Sequence, residues 1–201
     1  QNSHVLPAFI RRMHLAHALE RGDFEEIASV YKREQLAANS EQPARADLLR
    51  WLEKSGIHLS ADSCGPNAKQ RVRLACWGTG SPFREFLYSD DLAEACVFLL
   101  EKIDYADVAF EDETGTVQSH LNVGSGREVS IRDLAETVRE VIGFKGEIET
   151  DPSKPDGTPR KLLDVSRLTE SGWKAGISLE DGLVNAYDDF LQALGDGVAR
   201  L

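Results

Sequence analysis

Residues 74–100 read LACWGTGSPFREFLYSDDLAEACVFLL, and the changes of texture inside this stretch decide the fold class. Leu74–Trp77 is a short apolar run of strand length. Gly78–Pro82 is a tight turn. Glu85–Tyr88 reads as a second short strand, after which Ser89 caps a helix carrying Leu92, Cys96, Leu99 and Leu100. Strand, turn, strand and helix in so short a span predict an α/β protein.

Towards the N-terminus, Val5, Phe9, Ile10 and Met13 recur at helical spacing, and Pro7 suits a first turn, which predicts a helix from Val5 to about Leu19. From about Glu20 to Gln70 the texture differs. Phe24, Ile27, Val30 and Tyr31 share one helical face, and Leu48, Leu49, Trp51 and Leu52 mark a second. The loop AANSEQPA, with Pro43, lies between them, and a polar stretch with Gly65-Pro66 as a turn closes the segment. This predicts a helical hairpin.

Towards the C-terminus, His120–Gly126 reads as a short strand entering a turn, after acidic loop residues from Asp107 to Gly115. Ser130 and Asp133 resemble a capping box before a helix carrying Leu134, Val138, Val141 and Ile142, with Gly143 as its stop. Glu147–Thr150 is a further strand. Asp151–Lys161, DPSKPDGTPRK, holds too much Pro and Gly for regular structure. Ser166 and Ser178 each open a helix, and the last one carries Leu179, Leu183, Tyr187, Phe190, Leu191 and Leu194. No internal repeat or low-complexity tract is visible.

At 201 residues the chain suits one domain or one and a fraction, large enough to bury roughly 70 % of its unfolded surface. Hydrophobic residues at 41 % and charged ones at 28 % argue against wholesale disorder. A net charge of −11 disfavours nucleic acid and anionic membranes as partners, so an anionic ligand needs a local basic cluster. The longest strictly apolar run, Ala95–Leu100, is far short of a membrane span, and no signal peptide is visible. Cys64, Cys76 and Cys96 form an odd, sparse set without C-x-x-C, which fits a reducing, cytoplasmic setting. The chain begins at Gln1 rather than Met, which suggests a fragment.

Two G-x-G pairs occur, Gly78/Gly80 and Gly124/Gly126. The third glycine of a dinucleotide fingerprint is replaced by Phe83 in one and Val129 in the other, so both read as turn glycines. There is no P-loop and no nucleophile elbow. His14 and His17 stand three apart on a helix, which fits surface or interface histidines better than a metal site. Asp90-Asp91 fits acidic residues complementing the dipole of a helix's first turn. The stiff loop Lys154–Lys161 can present Arg160 and Lys161 to phosphate and Asp156 to sugar hydroxyls, or be a solvated surface loop. Trp77 can stack on a flat or sugar face, or belong to a core. Arg84 can point into a cleft, or lie on the surface.

Taken in order, NSHVLPAFIRR, WGTGSPFREFLYSDDLA, LNVGSG, SKPDGTPRKLLDVSRL and the Gly-Trp followed by ISLEDGL resemble the C-terminal part of the GDP-L-fucose synthase branch of the extended short-chain dehydrogenase/reductases. The resemblance covers all but the 20–70 segment. It implies the substrate-binding portion of an NAD(P)-binding Rossmann-type fold, formed by residues 1–19 and 71–201. The Rossmann half is absent, and 20–70 is a helical hairpin insertion of roughly 50 residues at a surface loop.

Members of the branch convert GDP-4-keto-6-deoxy-D-mannose to GDP-L-fucose, epimerising C3 and C5 and reducing the C4 ketone with NADPH. The resemblance makes His4 the proton donor, also near the cofactor. It places Arg12, Trp77, Arg84, Asp156 and Lys161 in the nucleotide-sugar pocket and implies a homodimeric complete enzyme; no metal is expected. The Tyr-Lys pair and the cofactor fingerprint of the family are missing here, so the chain alone is expected to be inactive, with NADPH bound mainly elsewhere. Another nucleotide-sugar epimerase or dehydratase of the superfamily, or a non-catalytic GDP-sugar-binding module whose 20–70 segment holds a protein partner, are the alternative readings.

Overall fold

Gly22 ends the first helix by turning left-handed (φ 72°) and donating its N–H back to Ala18 and Leu19, the αL stop that glycine adopts without a Cβ penalty. The computed structural model describes residues 4–34, 43–60 and 71–196. The elements in order are α1 (Val5–Arg21), α2 (Phe24–Glu34), α3 (Arg45–Lys54), β1 (Ile57–Leu59), β2 (Val72–Trp77), β3 (Phe83–Glu85), α4 (Ser89–Lys102), α5 (Tyr105–Val108), β4 (Phe110–Glu111), β5 (Val117–Gln118), β6 (Glu128–Ser130), α6 (Ile131–Ile142), β7 (Glu147–Asp151), α7 (Ser166–Glu170) and α8 (Leu179–Gly195). They group into two compact units, one of residues 1–81, 132–157 and 183–201, the other of residues 82–131 and 158–182.

The first unit is built on a sheet of order β1-β2-β7. β1 runs antiparallel to β2, with Ile57 opposite Leu74, and β7 runs parallel to β2, with Ile148 opposite Leu74. Val72, Leu74 and Cys76 alternate inward along β2, as the two-residue period of a strand requires. α1 packs on β2, and Phe9, Met13 and Leu15 of α1 are buried, as are Leu134 and Val138 of α6. The segment read as a hairpin insertion forms α2, α3 and β1 in its described part. Its Ile27, Val30, Leu48, Leu52 and Ile57 are fully buried, and α2 packs on both α1 and α3. Most of the AANSEQPA loop, the Gly65-Pro66 turn and Cys64 lie outside the described residues.

The second unit holds two small sheets. β3 pairs antiparallel with β6, Arg84 opposite Val129, and β4 pairs with β5. Its apolar core is small: Ala95, Leu168 and Trp173, with Leu87, Phe98, Leu99, Val123 and Ala175 packed against them. Two sequence expectations shift here. The strand expected at Glu85–Tyr88 sits at Phe83–Glu85, because the ladder with β6 ends at Glu85. No strand forms at His120–Val123, where the Asn122 amide instead donates to the Asp164 carbonyl at 3.0 Å. The acidic stretch expected as loop contains α5, whose Asp104 and Asp107 form a reciprocal capping box, and the β4–β5 hairpin.

Candidate functional site

Trp77 ends β2 at the position where the inward–outward alternation turns its ring to solvent, and it is 75 % exposed. The Lys154 ammonium lies 5.9 Å from the centre of that ring, within reach of a cation–π contact. Beyond Trp77 the chain makes its glycine turn, with Gly78 at φ 82° and Gly80 at φ 77°. The Asp156 carboxylate fills that turn. It accepts the Thr79 N–H at 2.8 Å and the Thr79 hydroxyl at 2.7 Å. A Cβ on Gly78 would overlap Asp156 Oδ1. A sugar-contacting Asp156 was expected from sequence; in the structure this side chain fastens the Pro- and Gly-rich loop to the Trp-Gly-Thr-Gly turn.

Arg12 is engaged with main chain. Its Nε donates to the Ser55 carbonyl at 2.8 Å and its Nη2 to the Ala75 carbonyl, and burial pushes its pKa down. The guanidinium thereby ties α1 to the end of α3 and to β2. His4 is exposed at the start of α1, where its carbonyl accepts the Ala8 N–H at 3.1 Å. Asn2 and Ser3 of the Asn-Ser-His motif lie outside the described residues.

In the second unit Arg84, half-buried on β3, donates from Nη1 to the Phe83 and Thr158 carbonyls at 2.6 and 2.7 Å. Phe83 N–H donates to the Pro159 carbonyl at 2.8 Å, so the loop runs along β3. The two neighbouring cations of that loop part company. Arg160 pairs with Glu128 at 2.7 Å, whereas Lys161 is exposed without an ion pair among the described residues; both line an open groove with Gly126 and residues 162–166.

Two acidic residues inside the quoted motifs hold this unit together: Glu85, which the sequence reading did not single out, and Asp91, which it took as a helix-dipole residue. Glu85 accepts the Gly126 N–H at 2.7 Å and the Leu163 N–H at 3.0 Å, and its carboxylate occupies the space a Cβ on Gly124 would need. Asp91 is 2 % exposed and accepts the N–H groups of Gly176 and Ile177, each at 3.0 Å. The dipole reading therefore suits exposed Asp90, while Asp91 is a buried acceptor. No local signal marks either role, because the N–H groups they bind lie 41 or more positions away in sequence.

His14 corrects another expectation. It is 3 % exposed, with Nδ1 3.0 Å from the Tyr187 hydroxyl and Nε2 3.1 Å from Glu26 Oε1. No group of three or more His, Cys, Asp or Glu side chains able to hold a metal occurs among the described residues. Neither glycine turn fits a dinucleotide either. A pyrophosphate needs bare N–H groups and open space over glycine. Here Asp156 occupies the first turn and Glu85 the second, both negatively charged.

Residues 63–124 match the family described as the NAD dependent epimerase/dehydratase family. Over 119 residues the chain is 53 % identical to GDP-L-fucose synthase 1 of Arabidopsis thaliana, covering 59 % of this chain and 33 % of that protein. Over 125 residues it is 49 % identical to the GDP-L-fucose synthase of Escherichia coli K12, covering 62 % and 38 %. A solved GDP-6-OMe-4-keto-L-xylo-heptose reductase from Campylobacter jejuni matches with a TM-score of 0.76 at 31 % identity, over 95 % of this chain and 48 % of that one. The chain thus spans 33–38 % of the length of these curated relatives. Its α/β fold corresponds to part of the epimerase/dehydratase architecture.

Proposed function

We propose that this chain, a relative of the GDP-L-fucose synthases, is the nucleotide-sugar-binding part of an enzyme converting GDP-4-keto-6-deoxy-D-mannose to GDP-L-fucose. The activity is 3,5-epimerisation followed by NADPH-dependent 4-reduction, in the cytoplasm, by a homodimeric complete enzyme. The observation that carries the reading is an identity of 49–53 % to a bacterial and a plant fucose synthase over 119–125 residues.

In this reading Trp77 offers its exposed face to the sugar or base, and Arg84 and Lys161 meet the diphosphate. Asp156 acts by fixing the shape of the loop that carries Lys154. Arg12 acts through the main chain at Ser55 and Ala75. NADPH is held mainly outside this chain, since both glycine turns are filled, and it supplies the hydride when bound. Protons beside the C4 ketone are acidic because the enolate delocalises, and His4 returns a proton to the carbon opposite the face that lost one.

Calorimetric titration of the chain with GDP-mannose and UDP-glucose tests the binding half of the proposal. GDP-mannose is expected to bind at least about tenfold tighter, a preference of about 1.4 kcal/mol. Equal affinity, or none for the guanosine ligand, would refute it. A GDP-heptose reductase is the second reading, favoured by the structural match over 95 % of the chain. It predicts that GDP-mannoheptose outcompetes GDP-mannose in the same titration.

A further inference from the structure

Trp77 and Lys154 belong to the same compact unit, and the backbone holds them side by side. Trp77 is paired with Asp151 in the β2–β7 ladder. The Asp151 carbonyl accepts the Gly78 N–H at 2.9 Å and the Lys154 N–H at 3.1 Å. Asp156, two residues further on, is bonded to Thr79. Lys154 is thus tied on both sides to the two residues that follow Trp77, and its ammonium stands over the exposed ring.

The lysine has two carboxylates close by in sequence, yet it forms no ion pair with either. Asp151 Oδ1 takes the N–H of Ser153 at 3.0 Å and its hydroxyl at 2.6 Å. Each oxygen of Asp156 takes a donor of Thr79. Of the influences that lower the Asp151 pKa, the Ser153 hydrogen bonds come first and the Lys154 charge last. A surface cation–π contact is weaker than a charge-assisted hydrogen bond to phosphate, so an arriving phosphate outcompetes the ring for the ammonium. In a chain of net charge −11, an unpaired ammonium beside an open aromatic face supplies the local cation that an anionic ligand needs.

We propose that Lys154 is a further ligand-binding residue, which takes a phosphate group of the nucleotide whose sugar or base lies on Trp77. This rests on the reading of Trp77 as the face that meets a nucleotide sugar.

The indole N–H signal of Trp77 in the ¹⁵N-labelled chain provides the test, and Trp77→Phe identifies it by its loss. The chain is titrated with sodium pyrophosphate at an ionic strength held constant with sodium chloride. A saturable shift of the Trp77 signal is expected. Lys154→Gln is expected to need at least about tenfold more pyrophosphate, and Lys154→Arg, which keeps the charge and the ring contact, to restore the response. Lys145→Gln, at another exposed lysine of the same unit, is expected to respond like the parent. An unmoved Trp77 signal, a Lys154→Gln variant that responds like the parent, or an equal loss in Lys145→Gln would overturn the proposal. GDP-mannose is titrated beside pyrophosphate. A Lys154-dependent pyrophosphate response without GDP-mannose binding supports the phosphate site and refutes the GDP-sugar reading. GDP-mannose binding that Lys154→Gln leaves unchanged upholds that reading and overturns the role of Lys154.

Discussion

The carboxylate of Asp156 grips Thr79 twice, at the main-chain N–H and at the hydroxyl, across 77 positions of sequence. A loop with two prolines and a glycine has little regular hydrogen bonding of its own, so this grip sets where Lys154 stands beside Trp77. Asp156→Ala is expected to weaken GDP-sugar binding while lowering stability by less than about 1 kcal/mol, because the bonds are exposed. Gly78→Ala combines a strained φ with overlap on Asp156 and is expected to cost about 1–3 kcal/mol. Thermal melts and ligand titration of both variants check this; unchanged affinity in Asp156→Ala would show that the fastening does not matter for binding.

Glu85 is expected to matter for stability as an acceptor. Glu85→Ala strands the N–H groups of Gly126 and Leu163 and is expected to cost about 1–3 kcal/mol. Glu85→Gln keeps one acceptor oxygen and is expected to lose less. Urea titration ranks them, and equal losses would show that the side chain acts by packing alone.

Neighbouring Asp90 and Asp91 are expected to differ sharply. Asp91→Ala leaves two main-chain donors unsatisfied in a buried place and is expected to cost about 3 kcal/mol. Asp90→Ala loses a dipole contact and a long hydrogen bond from the Ser89 hydroxyl (3.4 Å) at the surface, about 0.5 kcal/mol. Similar midpoints in denaturant for the two variants would contradict the buried-acceptor assignment.

His14 predicts an acid-sensitive stability. Burial pushes its pKa below the ordinary value, against a smaller upward pull from Glu26, while Arg21 and His17 add to the lowering and Tyr187 faces the other ring nitrogen. As pH falls through about 6.5, the unfolded chain takes up the proton first. Stability therefore falls with pH from that value until the lower folded pKa is reached, and is constant in this respect above it. His14→Gln is expected to flatten the dependence. Melts across this range decide, and an unchanged slope would assign the dependence to other groups.

The chain is expected not to bind NADPH tightly. Carboxylates fill both turns that could have held a pyrophosphate. Titration with NADPH tests this, and low-micromolar affinity would mean that another surface of the chain holds the cofactor.

The long helices and β2 were legible from periodicity. Val5 starts α1 as expected, Gly143 (φ 81°) closes α6, Ser178 caps α8 by accepting the Asp181 N–H at 3.0 Å, and Asp151–Lys161 is irregular beyond the end of β7. What stayed hidden depends on partners distant in sequence. β1 exists because Ile57 finds Leu74, and a run as short as Ile57–Leu59 carries no period. Phe86–Tyr88 has strand-like residues but no ladder partner among the described residues. Of the candidate site, the exposure of Trp77 follows from its place at a strand end, and the resemblance supplied Arg84 and Lys161. Nothing local distinguishes the buried Asp91 from its exposed neighbour Asp90. The acceptor roles of Glu85, Asp91 and Asp156 need the loops they bind to be in place.

The first compact unit joins the two ends of the sequence. β2 pairs with β7, and His14 of α1 meets Tyr187 of α8 across 173 positions. During synthesis, α1 emerges from the ribosome long before the helix that covers His14. Its apolar face meets α2 and β2 early, but the part around His14 must wait until residues 183–195 have been made. Folding of this unit is accordingly late and non-local, and slow by the usual relation between contact separation and rate. A nascent chain stalled before residue 183 would leave that histidine uncovered to chaperones and proteases.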